Sequence, residues 1–333
     1  MSSSGGAGAD SSAGAAGSQR VARGAARKAL RPRSPLHVQF ALLLSRAWRQ
    51  VARAKGVLVI KAVQQIMVAL IYGGIYKLDL SQRSIQDRLG LLSLVTVGAS
   101  NLAIATTIRT FPKEKALVVE ERSKRLYGVV PYFLSKLIAD VPLSAALSGL
   151  FGALIYPLVG LQRSMPKFLN FLGLVTLESL ASSAVGLLLG SIAPTTDAAL
   201  AMFPPIVVLM VIFNGFNLSL ESVPRGLGWV PALSLVRWAF EGLAVNEFRG
   251  LEFEPPGNAL MKASGAYVKD GDGALANLAF GKSTVRGCAL AQTCIIGGCW
   301  VTSLRSLQTN RPKLAPMRPP GSLGAKVAGS SAK

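Results

Sequence analysis

Few residues in this chain stand in an arrangement that could do chemistry, and each arrangement has a test. Residues 276–284, ANLAFGKST, end like a phosphate-binding loop. That loop needs glycine at the first position of GxxxxGK[ST], where backbone must approach phosphate, and the position here is Ala276. No buried strand pattern leads into it, so the segment is expected to bind no nucleotide. Cys288, Cys294 and Cys299 share one apolar stretch without CxxC spacing. They read as packing residues rather than metal ligands or a disulfide. His37 is the single histidine and lies ahead of the first apolar run, and the sequence has neither HExxH nor a paired intramembrane aspartate motif. Two acids, Asp140 and Glu178, lie in apolar runs, where an unpaired carboxylate is strongly disfavoured. Asp140 has Lys136 one turn before it and is expected to pair with it. Glu178 admits two readings, a hydrogen bond to hydroxyls of neighbouring helices or a functional role in the membrane.

The elements that hold these residues follow from composition. Of 333 residues, 50% are hydrophobic and only 16% charged, with a mean hydropathy of +0.43. A soluble chain carries about 25% charged residues, so the deficit indicates a polytopic membrane protein. Net charge is +20. The basic residues gather in the tails and beside apolar runs without interleaved aromatics, which argues against nucleic-acid binding. Residues 1–34, rich in Ser, Gly, Ala and Arg, are expected to be disordered, as are residues 311–333. The first tail reads either as an organellar transit peptide or as the remnant of a linker. Residues 36–53 alternate at helical spacing between apolar side chains and Arg46, Arg49 and Arg53, with Trp48 among them, as an interfacial helix does.

Six spans are expected, over residues 56–76, 89–108, 129–161, 168–192, 198–220 and 287–304. Lys61 sits near enough to the start of the first to snorkel outward. Ten Lys or Arg stand before Gly56 against one acid, and six follow from Arg305 against none. Residues 219–286 balance seven of each sign. The positive-inside rule therefore puts both tails in the cytosol or stroma and the 219–286 segment outside. The membrane itself, plasma or plastid, is left open.

Between the second and third spans lies FPKEKALVVEERSKRLYGVVPYFLSKLIADVP, residues 111–142. A mixed-charge helix over 113–125 runs directly into an apolar span, as force transfer from a soluble partner would require. The residues Phe111, Lys113, Glu114, Lys115, Glu121, Arg122, Tyr127, Tyr132, Phe133, Lys136, Asp140 and Pro142 resemble the first cytoplasmic loop and third membrane helix of ABC exporters of the G (White/Brown) subfamily. A second match lies at Val223-Pro224, Trp229, Ser234, Arg237 to Leu243, Asn246-Glu247-Phe248 and Gly250. Arg125 departs from the family's usual small residue. The resemblance covers residues 36–313.

It implies an all-α membrane domain over residues 35–310, with an amphipathic connecting helix, six transmembrane helices and a cytoplasmic coupling helix. An outer segment would carry a re-entrant or interfacial helix before the sixth span, with Arg237, Glu241, Asn246 and Glu247 on it. It further implies a second membrane domain, homo- or heterodimeric, in contact with membrane lipids. A nucleotide-binding domain, on another chain or lost, would bring ATP and Mg²⁺, since this chain holds no cofactor and no ATPase motif. Lys113, Glu114, Glu121, Arg122 and Tyr127 would meet that domain. Asn101, Thr106, Phe213, Asn214, Phe216 and Asn217 would line or gate a slit for lipid-like molecules, unless they bond between helices of one protomer. Two other readings stand beside this one: a non-transporting scaffold or remnant, and the permease of a two-gene glycan or lipid exporter.

Overall fold

The computed structural model describes residues 35–123, 127–218, 223–255 and 267–309. Both tails, Lys124, Arg125, and the side chains of Lys113 and Arg122 lie outside the described residues, so the expectations for them have no structural counterpart. Among the described residues ten α-helices follow one another: α1 Leu36–Arg53, α2 Lys55–Ile75, α3 Gln82–Ser123, α4 Val129–Val159, α5 Met165–Ile192, α6 Thr196–Ile212, α7 Val230–Leu233, α8 Leu235–Phe248, α9 Gly271–Asn277 and α10 Val285–Thr309.

The connecting helix has the bounds expected of it. Pro35 precedes it, and α2 restarts after the single bent residue Ala54. Helix α4 ends where Gly160 takes a left-handed φ of 84°, its N–H bonding the Tyr156 carbonyl. Glycine is the residue that adopts this conformation without strain.

Three expectations need correction. The charged stretch 113–125 is not a separate helix, because α3 continues through Pro112 to Ser123. Proline removes one backbone hydrogen bond there. Tertiary packing compensates, since neighbouring Phe111 is buried against Phe133, Leu137, Leu187 and Leu307. Secondly, among the described residues five of the six expected spans are long and apolar enough to cross a membrane, and the remaining one is a shorter apolar helix. The sixth candidate, α6, stops at Ile212 after 17 residues instead of reaching 220. Its extension is cut off by Asn214, whose side-chain oxygen accepts the N–H groups of Phe216 (2.8 Å) and Asn217 (2.9 Å), and by Gly215 at φ 86°. Thirdly, α8, expected as a re-entrant or interfacial cap, is enclosed by neighbouring helices. Twelve of its 14 residues are buried, and Gly242 sits against Leu174 of α5 and Cys288 of α10.

Helices α3 and α5 run side by side in the same direction. Ser100 meets Glu178, Ile104 and Thr107 meet Gly186, and Phe111 meets Gly190. A Cβ on Gly186 would come within 2.8 Å of the Thr107 Cβ and 3.1 Å of the Ile104 carbonyl. The small residues of this span are what let the backbones approach. Gly149 of α4 faces open space. Gly186→Val is therefore expected to destabilise the protein by about 1–3 kcal/mol. Gly149→Ala should change stability by no more than about 1 kcal/mol, in the favourable direction. Thermal unfolding of the two variants in detergent checks the contrast.

Candidate functional site

The stretch Pro112–Ser123 carries both signs of charge, and packing distributes them to three different helices. Glu121 accepts from Arg46 Nη1 of α1 at 3.0 Å and from the Tyr127 hydroxyl. Glu114 pairs with Lys136 of α4 and accepts from the Tyr132 hydroxyl at 3.3 Å. Lys115 donates to the Ser191 carbonyl at the end of α5 at 2.8 Å, with the Gly190 and Ala193 carbonyls at 3.5 and 3.4 Å. These are among the carbonyls that a helix C-terminus leaves without intrahelical partners, and they sit at the negative end of its dipole. Burial pushes the Lys115 ammonium below the ordinary lysine range.

The surroundings hold this arrangement in register. Tyr127 and Tyr132 stack with ring centroids 5.9 Å apart. Gln39 of α1 accepts the N–H of Gly128, the residue that opens α4, at 3.0 Å. The Lys136 ammonium lies over the Phe111 ring. Lys136 thus pairs with Glu114 across two helices and not with Asp140, as its spacing had led us to expect. Neither carboxylate is left as a general base. The stretch Pro112–Ser123 is thereby tied to α1, α4 and α5 at once.

Above this hub a cavity of about 330 Å³ opens between α1, α2, α3, α4 and α5. Thr106 lines it, and so does Lys61, which points inward instead of snorkelling to the surface. The other residues expected to form a slit do not join it. Asn101 is half-buried on α3. Asn214 is fully buried and donates to Ser93 Oγ at 3.2 Å, while Asn217 bonds the Val211 carbonyl at 3.0 Å. Phe213 is buried, and Phe216 packs on Phe240, which meets Phe280 edge-on. Glu178 is buried and receives the Ser100 hydroxyl, with Ser182 Oγ and Gln292 Nε2 both at 3.5 Å. Glu178 is thus met from α3, α5 and α10 by polar side chains.

The opposite end has its own knot. Arg88 of α3 pairs with Glu247 of α8, each 3% exposed, and also donates to the Asp79 carbonyl at 3.1 Å. The Gln162 N–H, in the α4–α5 turn, points at both Glu247 oxygens at 3.3 Å, and Asn246 donates to the Lys167 carbonyl at 2.9 Å. Glu241 accepts from Ser283 and has Arg237 at 3.3 Å, with Arg237 over the Trp238 ring. Arg88 and Gln162 were not singled out from the sequence, and Arg46 only as a cation of the interfacial helix. Arg88 carried a signal nonetheless, as a cation at the mouth of a span otherwise free of charge.

A family model described as "ABC-2 type transporter" matches residues 38–248. The chain is 38% identical over 276 residues to "ABC transporter G family member 7" of Arabidopsis thaliana, covering 83% of this chain and 37% of that protein. It is 33% identical over 216 residues to "Protein white" of Drosophila melanogaster (65% and 31%), and 30% identical over 221 residues to "ABC transporter G family member 1" of Dictyostelium discoideum (65% and 28%). The chain thus spans about a third of the length of these relatives.

Removing one member of the far-end pair should be severe. Burial pushes the Glu247 carboxyl up, and the Arg88 charge opposes that. Arg88→Met is expected to cost about 3–5 kcal/mol at pH 8, because it strands a buried carboxylate. A carboxyl raised in the folded state binds its proton more tightly there than in the unfolded chain. The penalty should therefore shrink as pH falls through that raised value and level off near the unfolded value of about 4.3. Unfolding midpoints in detergent from pH 8 to pH 5, wild type against variant, measure this.

Proposed function

We propose, from the premise that this chain belongs to the ABC-2 type transporter family, that it is the membrane-spanning part of a G-type exporter driven by ATP. The chain is a multi-pass integral membrane protein with several apolar helices of spanning length. The observation that carries the proposal is the triple attachment of Pro112–Ser123: Glu121 to α1, Glu114 to α4 and Lys115 to the end of α5. A nucleotide-binding domain supplies ATP and Mg²⁺ and grips this stretch, which together with both tails faces the cytosol or stroma. A second membrane domain, identical or related, completes the translocation unit.

When the nucleotide-binding domains close, Pro112–Ser123 moves, and α4 and α5 follow through the ion pair and the capped helix end. The tight seam of α3 on α5 carries the shift toward residues 219–286, where a lipid-like or amphipathic substrate is released. Alternating access of this kind needs no covalent chemistry from this chain. It needs a connection between the charged stretch and the bundle that is stiff enough to transmit displacement.

That connection can be broken without unfolding the bundle. The Arg46 side chain is 51% exposed and Glu121 18%, so their pair is worth under about 1 kcal/mol to stability. Arg46→Glu and Glu121→Arg should each lower ATP-driven transport about tenfold when co-reconstituted with the nucleotide-binding domain. The exchanged double variant should recover most of the loss, as a directly interacting pair does. Unchanged transport in both single variants would remove the pair from the coupling route.

A further inference from the structure

Six charged side chains line the cavity beneath α1: Arg46, Lys61, Lys136, Glu114, Glu121 and Asp140. Four are satisfied by one another, Arg46 with Glu121 and Lys136 with Glu114. Lys61 of α2 and Asp140 of α4 are half-buried, and neither makes a hydrogen bond or close ion pair with another described residue. They line the same space without touching, and Lys136, one turn before Asp140 on α4, is already taken up by Glu114. Two opposite charges facing one partly apolar cavity are unfavourable as they stand, and a ligand that meets both relieves that.

The chemistry of such a ligand follows from the charges. A simple amine would answer Asp140 and crowd Lys61, and an anionic phosphoester would do the reverse. A headgroup carrying an ammonium and a phosphate together answers both. The ammonium must also be able to donate, since a carboxylate only accepts and the neighbouring Ser144 hydroxyl also lines the wall. A quaternary ammonium has no N–H to give. Beyond the charges the lining is apolar, with Leu58, Leu102, Leu143 and Leu147. At 1.5 Å per residue, Lys61 stands about 9 Å and Asp140 about 16 Å above the starts of their helices. A lipid headgroup must therefore be drawn inward from the leaflet next to α1 to reach both. The volume falls in the range of roughly 300–1,000 Å³ typical of small-molecule sites, enough for a headgroup with its chains trailing out along α2.

We infer that this cavity binds one aminophospholipid per protomer, its primary ammonium on Asp140, its phosphate on Lys61 and its acyl chains along the leucine wall. The site lies within a single protomer and does not depend on transport, so it stands or falls separately from the exporter assignment.

Native mass spectrometry of the full chain, delipidated in detergent and titrated with defined lipids, tests this. Phosphatidylethanolamine should be retained one per protomer, about tenfold more tightly than phosphatidylglycerol or phosphatidylcholine, the margin of a charge-assisted hydrogen bond. Asp140→Asn should remove that preference and leave phosphatidylglycerol retention unchanged. Lys61→Met should weaken retention of both. Ala103→Trp, which fills the cavity while sparing both charges, should expel phosphatidylethanolamine, and it carries the same decision if Asp140→Asn aggregates. Equal retention of the three lipids by wild type, or undiminished retention by Ala103→Trp, would overturn the site. Water-soluble glycerophosphoethanolamine binding as tightly as the lipid would overturn the acyl-chain wall and point to a free phosphoester instead.

Discussion

A charge held among apolar helices needs an opposite charge or a hydrogen bond within reach, and in this bundle that requirement decides which helices are tied together. Arg88 and Glu247 are almost completely buried and join α3 to α8. Glu178 is met from α3 by Ser100 and from α10 by Gln292. At the other end Glu114, Lys115 and Glu121 fix one stretch of α3 to α4, α5 and α1. Lipid-facing residues cannot supply such links, since hydrocarbon drives no association between apolar faces. The polar side chains therefore set the register, and small residues such as Gly186 let the backbones close over them.

The two ends serve different purposes by virtue of their exposure. The Arg88–Glu247 pair is sealed and reinforced by Gln162 and Asp79, which suits a fixed anchor. The pairs around Pro112–Ser123 are partly open, with Arg46 half in solvent. Each is individually weak, and the three together reach different helices. The proposed exporter, moving at one end and staying assembled at the other, would draw on this difference. Lys115 adds directionality, because its donors hold the last carbonyls of α5 and not a side chain that could rotate away.

Much of this was legible from the amino-acid sequence, and the failures have physical causes. Helix α1 could be bounded because its apolar spacing begins after Pro35 and its cations run to Arg53. The membrane helices were visible because hydropathy is a local property. Partner choice is not local. Lys136 has Asp140 at helical spacing, yet Glu114, 22 positions earlier, claims it. The end of α6 was misjudged for a similar reason, since hydropathy continues past Ile212 while the Asn214 side chain turns the backbone. Helix α8 looked amphipathic because of Arg237, Glu241 and Glu247, all three of which found buried partners instead of water. The cavity could not be foreseen at all, being a product of how α1 leans on the bundle.

The shortness of α6 has a consequence for the surrounding lipid. Seventeen residues rise about 25 Å, roughly 5 Å less than the hydrocarbon thickness of an average bilayer. Tilting only shortens a helix's reach further, so a segment of this length needs a thinned bilayer, snorkelling flanks or protein neighbours to complete a crossing. Helix α6 packs against α3, α5 and α8, so protein as well as headgroups can meet its polar ends.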